Sequence, residues 1–82
     1  MHLDAAHTGQ ALTVLGPPRP ALASGAVARR LAELGIRPGA TLWVLSRTSG
    51  GGAIIAIGDD RIAVSRQILA AIEVGAEVPS HG

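Results

Sequence analysis

The sequence predicts a mainly β fold, a small antiparallel barrel of about five strands with one short α-helix and a helical turn before the last strand. Three observations lead to this prediction. The chain has 82 residues, which is enough for one small domain. Its apolar residues fall in short runs that glycine or proline separates. Only one segment has helical spacing instead of strand-like alternation.

The helix has clear signals at both ends. Its apolar residues share one face at spacings of four and three: Val27, Leu31 and Leu34. Ser24 is a suitable N-cap, because its hydroxyl can accept a hydrogen bond from a free backbone N–H, so we expect a helix over residues 25–34. Gly35 favours the left-handed conformation that ends a helix. Pro38-Gly39 then fits the centre of a type II turn.

The remaining apolar runs predict the strands. We expect them over residues 10–15, 41–47, 53–57, 61–65 and 72–74. Residues 67–71 fit one helical turn before the last strand. In the second strand, Leu42 and Val44 lie on one face and Trp43 and Leu45 on the other. Closing the sheet into a barrel would keep the apolar third strand away from an open edge.

Small and polar residues fill both ends of the chain. We expect residues 1–8 to be loosely held, although Leu3 can pack, and residues 79–82 to fray. The core is expected within about residues 3–74 of a single domain spanning 1–82.

The residue types present argue against catalysis. Without cysteine there are no disulfides, thiolate ligands or thiol nucleophiles. The three histidines lie near the chain ends, without the spacing of a metal-binding pair. Asp59-Asp60 is typical of a turn, and Gly50–Gly52 lacks the lysine and hydroxyl residue of a phosphate loop, so we interpret it as a flexible hairpin tip. We therefore expect no enzymatic activity, no resident metal and no cofactor.

The charge and hydropathy patterns limit the partners. The net charge is +1, all seven basic residues are arginine, and Trp43 is the one aromatic residue. Nucleic-acid binding is therefore disfavoured, since it needs a basic field and stacking platforms. No apolar run approaches the ~20 residues of a membrane helix. The first residues also lack the basic start and apolar stretch of a signal peptide. We expect a cytoplasmic protein that does not insert into the membrane.

The stretch from Val27 to Thr41 resembles a known family. Its sequence VARRLAELGIRPGAT is similar to the RLxELGhxPGtxhxV signature of FeoA domains, where h is apolar. The family's other features follow in order: Leu3, Gly9 and Val14-Leu15 upstream, and the glycine-rich turn, Ile57 and Ile72-Glu73-Val74 downstream. The resemblance covers roughly residues 3–74. The turn from Ser49 to Ala53 departs from it, because the family often has proline and an acidic residue there.

The resemblance implies an SH3-like barrel and a non-enzymatic cytosolic accessory protein of ferrous-iron uptake. The implied partner is the FeoB-type membrane iron transporter, which carries a cytosolic GTPase domain and which this chain would bind and modulate. Related domains end DtxR-type metal-dependent repressors, although no helix-turn-helix pattern precedes the signature here. A metalloregulator-like accessory domain with weak transition-metal or protein binding therefore stays open. A small RNA-binding barrel is the other alternative.

Five residues are candidates for a partner-binding surface: Trp43, Leu45, Arg29, Arg30 and Arg37. The tryptophan faces away from its apolar strand neighbours, so it is either an interface anchor or the largest core side chain. The arginines either meet an acidic surface or form a solvated helix face. Apolar residues on both faces of the strand make a second copy of the chain another candidate partner.

Overall fold

The computed structural model describes residues 1–20 and 22–76, so the expectation for residues 79–82 lies outside the described part. The chain has five strands: β1 (Ala11–Val14), β2 (Thr41–Arg47), β3 (Ala53–Ile57), β4 (Asp60–Val64) and β5 (Val74–Ala76). They form one antiparallel sheet in the order β4-β3-β2-β1-β5. The helices are α1 (Gly25–Glu33), between β1 and β2, and α2 (Arg66–Ala71), between β4 and β5. The predicted mainly β architecture is confirmed.

Alternate residues of the central strands supply most of the core. Five residues of these strands have 0% exposure: Leu12, Leu42, Val44, Ala53 and Ile55. Leu31 of α1 and Leu69 of α2 pack into the same cluster. This alternation follows from the strand period of two, which turns every second side chain to the same face. The same period leaves the intervening residues of β2 on the opposite face of the sheet.

The signals around α1 act as the sequence predicts. The Ser24 hydroxyl accepts a hydrogen bond from the Val27 N–H at 3.2 Å. At the other end, Gly35 has a φ of +103°, and the Ile36 N–H donates to the Leu31 carbonyl at 2.9 Å. This wrapping of the chain around a left-handed glycine satisfies helix carbonyls that have no partner within the helix.

Replacing Ser24 with alanine is expected to lower the free energy of unfolding by about 1 kcal/mol, because the Val27 N–H loses its acceptor. Urea denaturation measures this loss. Ser46→Ala is the matched control, since Ser46 is exposed on β2 and lies outside any helix end. Equal losses in the two variants would show that the cap does not stabilise α1.

The hairpin between β3 and β4 is tighter than predicted. Asp60 pairs with Ile57, so Gly58 and Asp59 alone make the turn. The strand therefore begins at Asp60 and ends at Val64, one residue earlier at each end than expected. The first strand is also shorter than predicted, at Ala11–Val14.

The segment before the last strand is more helical than predicted. The expected single turn is the short helix α2, and the Ser65 hydroxyl accepts from the Ile68 N–H at 3.4 Å at its start. The Ile72 N–H still donates to the Leu69 carbonyl at 3.2 Å, so Ile72 closes the helix. The last strand therefore begins two residues later than predicted: β5 spans Val74–Ala76, whereas the sequence predicts residues 72–74.

The N-terminal segment is packed, whereas the sequence predicts that residues 1–8 are loosely held. Leu3 lies in a short 3-10 segment and is fully buried in the core. Its N–H donates to the Ile72 carbonyl at 2.8 Å, and the Val74 N–H donates to the Met1 carbonyl at 2.8 Å. The start of the chain is thus held by the segment that leads into β5.

Candidate partner-binding surface

Trp43 lies on the outer face of the sheet. Its side chain is 37% exposed, whereas Leu42 and Val44 on either side of it are fully buried. The predicted division of β2 into two faces is therefore confirmed. The alternative in which Trp43 is the largest core residue is wrong.

Small side chains flank Trp43 on both neighbouring strands. Ala11 of β1 pairs with Trp43, which pairs in turn with Ala56 of β3, and Ala56 pairs with Arg61 of β4. Paired residues share a face of the sheet, so these four side chains form one row across four strands. Because both cross-strand neighbours are alanines, only short side chains flank the indole on the adjacent strands.

A β-bulge adds Leu45 to the same surface. Val44 pairs with Ile55 and Ser46 pairs with Ile54, so Leu45 has no partner on β3. Its side chain is 42% exposed. A bulge bends and twists a strand locally. We call Trp43, Leu45, Ala11 and Ala56 together the outer apolar face.

The three arginine candidates belong to other elements. Arg29 and Arg30 are exposed on α1, and Arg37 is exposed in the turn before β2. Within the described residues, the arginines whose side chains bond to protein atoms are Arg19 and Arg47. The three candidates therefore present their charges to solvent and stand apart from the row of Trp43.

A shallow pocket lies between the β2–β3 turn and the start of α2. It has a volume of about 290 Å³. Its lining residues come from these two segments and from the end of β4: Thr48, Ser49, Gly50, Gly52, Ala63, Val64, Ser65 and Arg66. Arg66 is the charged residue among them, and three others carry hydroxyl groups. The glycine-rich segment, interpreted from the sequence as a flexible tip, forms a 3-10 turn that walls this pocket. We call it the turn pocket.

The described residues contain no group of three or more histidine, cysteine, aspartate or glutamate side chains that could hold a metal ion. His2 lies beside Arg19, with 3.4 Å between the imidazole Nε2 and a guanidinium nitrogen. His7 is exposed. Over residues 1–20 and 22–76, no helix is long and apolar enough to cross a membrane.

The FeoA domain family model matches residues 1–76. The chain belongs to the FeoA domain family. The match begins with the packed N-terminal segment and ends with β5, so it covers the whole sheet. A comparison with proteins of curated function gives no match.

Solved structures of FeoA proteins share the fold. The FeoA protein of Chlorobium tepidum is 26% identical, with a TM-score of 0.83 over 100% of this chain and 75% of that chain. The zinc complex of Stenotrophomonas maltophilia FeoA, described as a prokaryotic SH3 domain protein, is 25% identical, with a TM-score of 0.73 over 92% of this chain and 89% of that one. The SH3-like fold that the family resemblance implies is confirmed.

A manganese-dependent transcriptional repressor also contains this fold. It is 23% identical, with a TM-score of 0.72, and the match covers 95% of this chain and 41% of the repressor. At this identity the likeness concerns the fold alone. FeoA domains and part of a metal-dependent repressor thus use the same arrangement of strands.

Proposed function

We propose that this FeoA-family chain is a non-enzymatic cytosolic accessory protein of ferrous-iron uptake that binds and modulates a FeoB-type membrane transporter. Membership of the FeoA family supports the role in iron uptake. The described residues offer a surface suited to protein binding and no cluster of metal-ligating side chains. Protein–protein binding therefore fits the described side chains better than direct binding of the iron ion.

The observation that carries this proposal is the position of Trp43 between two alanines. Tryptophan is enriched among the residues that dominate interface energies, because it combines a large apolar area with an N–H donor. Leu45 extends the apolar area along β2. A partner that covers the outer apolar face would bury both side chains, with the tryptophan as the central anchor.

The arginine candidates contribute in a different way. Arg29, Arg30 and Arg37 are exposed, and exposed charges chiefly steer association and set its salt dependence. An acidic surface on the transporter's cytosolic domain would complement them. We expect their replacement by glutamine to slow association, with a smaller effect on dissociation.

Modulation of the transporter requires more than binding. A bound accessory protein can shift a conformational equilibrium only if it binds two transporter states with unequal affinity. The GTP-bound and GTP-free transporter are the two states to compare. The ratio of the two affinities sets the largest change that the chain could cause in the equilibrium between the two transporter states.

Replacing Trp43 with alanine is expected to weaken binding to the transporter by about 30-fold, the effect of losing an anchor worth ~2 kcal/mol. The measurement uses the purified chain and the full-length transporter in detergent, with and without GTP. Leu15→Ala is the matched control, since Leu15 is an exposed apolar residue beyond the end of β1, where its side chain lies beside Gly75, four residues from the Ala11 that pairs with Trp43.

Three results would contradict parts of the proposal. A folded Trp43→Ala chain that binds as tightly as the parent would remove Trp43 from the interface. The absence of saturable binding in both nucleotide states would remove the transporter as partner. Equal affinity of the chain for the GTP-bound and GTP-free transporter would mean that the chain binds the transporter but does not modulate it.

A further inference from the structure

Strand β4 leaves one edge of the sheet open. It is the outermost strand, next to β3. In a two-residue hairpin the residues that close the turn exchange hydrogen bonds, so Asp60, Ile62 and Val64 bond to β3. Arg61 and Ala63 therefore direct their N–H and C=O groups away from the sheet. Within the described residues, no backbone bond outside the ladders uses these groups.

The opposite edge is partly covered. Strand β5 has three residues, and the N-terminal segment bonds beside it. His2 forms an antiparallel bridge with Glu73, and Met1 exchanges hydrogen bonds with Val74. Free edges invite pairing with another strand. The longer free edge of this fold is therefore β4.

The charges along β4 are unevenly distributed. Asp59 and Asp60 are exposed at the start of the strand, followed by exposed Arg61, and Arg66 is exposed just after its end. Arg66 also lines the turn pocket, where three hydroxyl groups and no carboxylate accompany it. One end of this edge therefore keeps a net negative charge, from two carboxylates and one arginine, and the other presents a cation beside hydrogen-bond donors.

We propose that a second copy of this chain pairs with β4 edge to edge, in antiparallel orientation. The register that overlaps all of β4 with its copy places Ile62 on the two-fold axis. Arg61 then lies opposite the partner's Ala63, and Ala63 opposite the partner's Arg61. Each pair exchanges two N–H···O bonds and satisfies the free groups of both edges. The two β4 strands thereby join the two sheets.

The same register aligns opposite charges at both ends of the interface. Asp60 lies opposite the partner's Val64, and Asp59 extends toward the partner's Ser65 and Arg66. The carboxylates of each copy therefore meet the turn pocket of the other, and the two-fold axis repeats the contact. A shift that places Arg61 opposite the partner's Arg61 would oppose like charges and move the carboxylates away from Arg66. Charge complementarity thus favours a second copy of this chain as the partner, and it favours the register that places Ile62 on the two-fold axis.

The test uses the full chain and measures its mass by sedimentation velocity over a range of protein and salt concentrations. We expect a reversible dimer whose dissociation constant rises with added salt. Arg66→Glu is expected to weaken dimerisation at least tenfold. Arg29→Glu carries the same charge change on exposed α1 and should leave dimerisation unchanged. Circular dichroism verifies that each variant is folded.

Two further variants separate this arrangement from general electrostatic association. Ala63→Pro removes an edge N–H that β3 does not use, so the variant should fold but remain monomeric. Asp59→Arg and Arg66→Glu should each dimerise poorly alone and form a heterodimer when mixed, because the swapped charges again oppose each other. A parent chain that stays monomeric at high concentration would overturn the proposal. So would equal effects of Arg66→Glu and Arg29→Glu, or a mixture that gives no heterodimer.

Discussion

Replacing Leu3 with alanine is expected to lower the free energy of unfolding by about 2–5 kcal/mol, the range for a fully buried leucine. Leu3 has 0% exposure and belongs to the core cluster. Small domains have total stabilities of about 5–15 kcal/mol, so this loss is a large fraction of the whole. Urea denaturation, followed through the fluorescence of the single tryptophan, measures it.

The matched control for this prediction is Leu15→Ala. Leu15 is 55% exposed, so the same truncation there should cost less than about 1 kcal/mol. The dependence of the unfolding free energy on urea concentration should stay unchanged in both variants, which identifies the effect as one on stability. Similar losses at the two positions would show that the N-terminal segment does not pack as the structure places it.

Elements whose signals are local could be predicted from the sequence. The N-cap at Ser24, the left-handed Gly35 and the turn at Pro38-Gly39 are each set by residues a few positions apart. Strands β2 and β3 were delimited by glycine and proline and have the predicted bounds. The outward position of Trp43 follows from the strand period alone. Local hydrogen bonding and alternation are sufficient for all of these.

The packing of the N-terminus could not be predicted in this way. Its hydrogen bonds join Met1 to Val74 and Leu3 to Ile72, which are near the other end of the described chain. No local sequence pattern predicts hydrogen bonds between residues so far apart in the chain. The small and polar residues around Leu3 are as typical of a loose tail as of a packed segment. A leucine followed by an aspartate and two alanines can be assigned to the core only when its packing partners are known.

The surroundings of Trp43 also depend on non-local pairing. The sequence shows an exposed tryptophan face, but it does not show that Ala11 and Ala56 are its cross-strand neighbours. Strand register depends on bulges and turn lengths, and the bulge at Leu45 has no sequence marker of its own. The candidate anchor was therefore predictable, whereas the shape of the surface around it was not.

The three consecutive glycines of the turn, Gly50 to Gly52, are needed for different structural reasons. Gly50 and Gly51 have φ values of +80° and +86°, so their conformation favours glycine. Gly52 has a φ of −77° and a ψ of −175°, which any residue can adopt. It is buried, and other atoms lie close to the position that a β-carbon would occupy there. A sequence of three glycines indicates freedom of movement, whereas the third position requires the absence of a side chain.

Replacing Gly52 with alanine is therefore expected to destabilise the fold by about 1–3 kcal/mol, the usual cost of overpacking. The added methyl carbon would lie 2.7 Å from the Thr48 hydroxyl oxygen and 2.8 Å from the Val64 carbonyl oxygen. The hydroxyl can move by rotation of its side chain, but the carbonyl belongs to the strand that pairs with Ala53. Moving that carbonyl would break the end of the β3–β4 ladder.

Gly16→Ala is the matched control, because no atom lies within 4 Å of the added carbon and the backbone there is not left-handed. Its effect on the free energy of unfolding should stay within about 0.5 kcal/mol. Adding Thr48→Ala to Gly52→Ala should restore only part of the loss, because the Val64 carbonyl remains in place. Full restoration would identify the hydroxyl as the whole obstacle. Equal changes in the free energy of unfolding at Gly52 and Gly16 would mean that the turn accommodates the added methyl group without loss of stability. The close packing of the turn against β4 would then not contribute to stability.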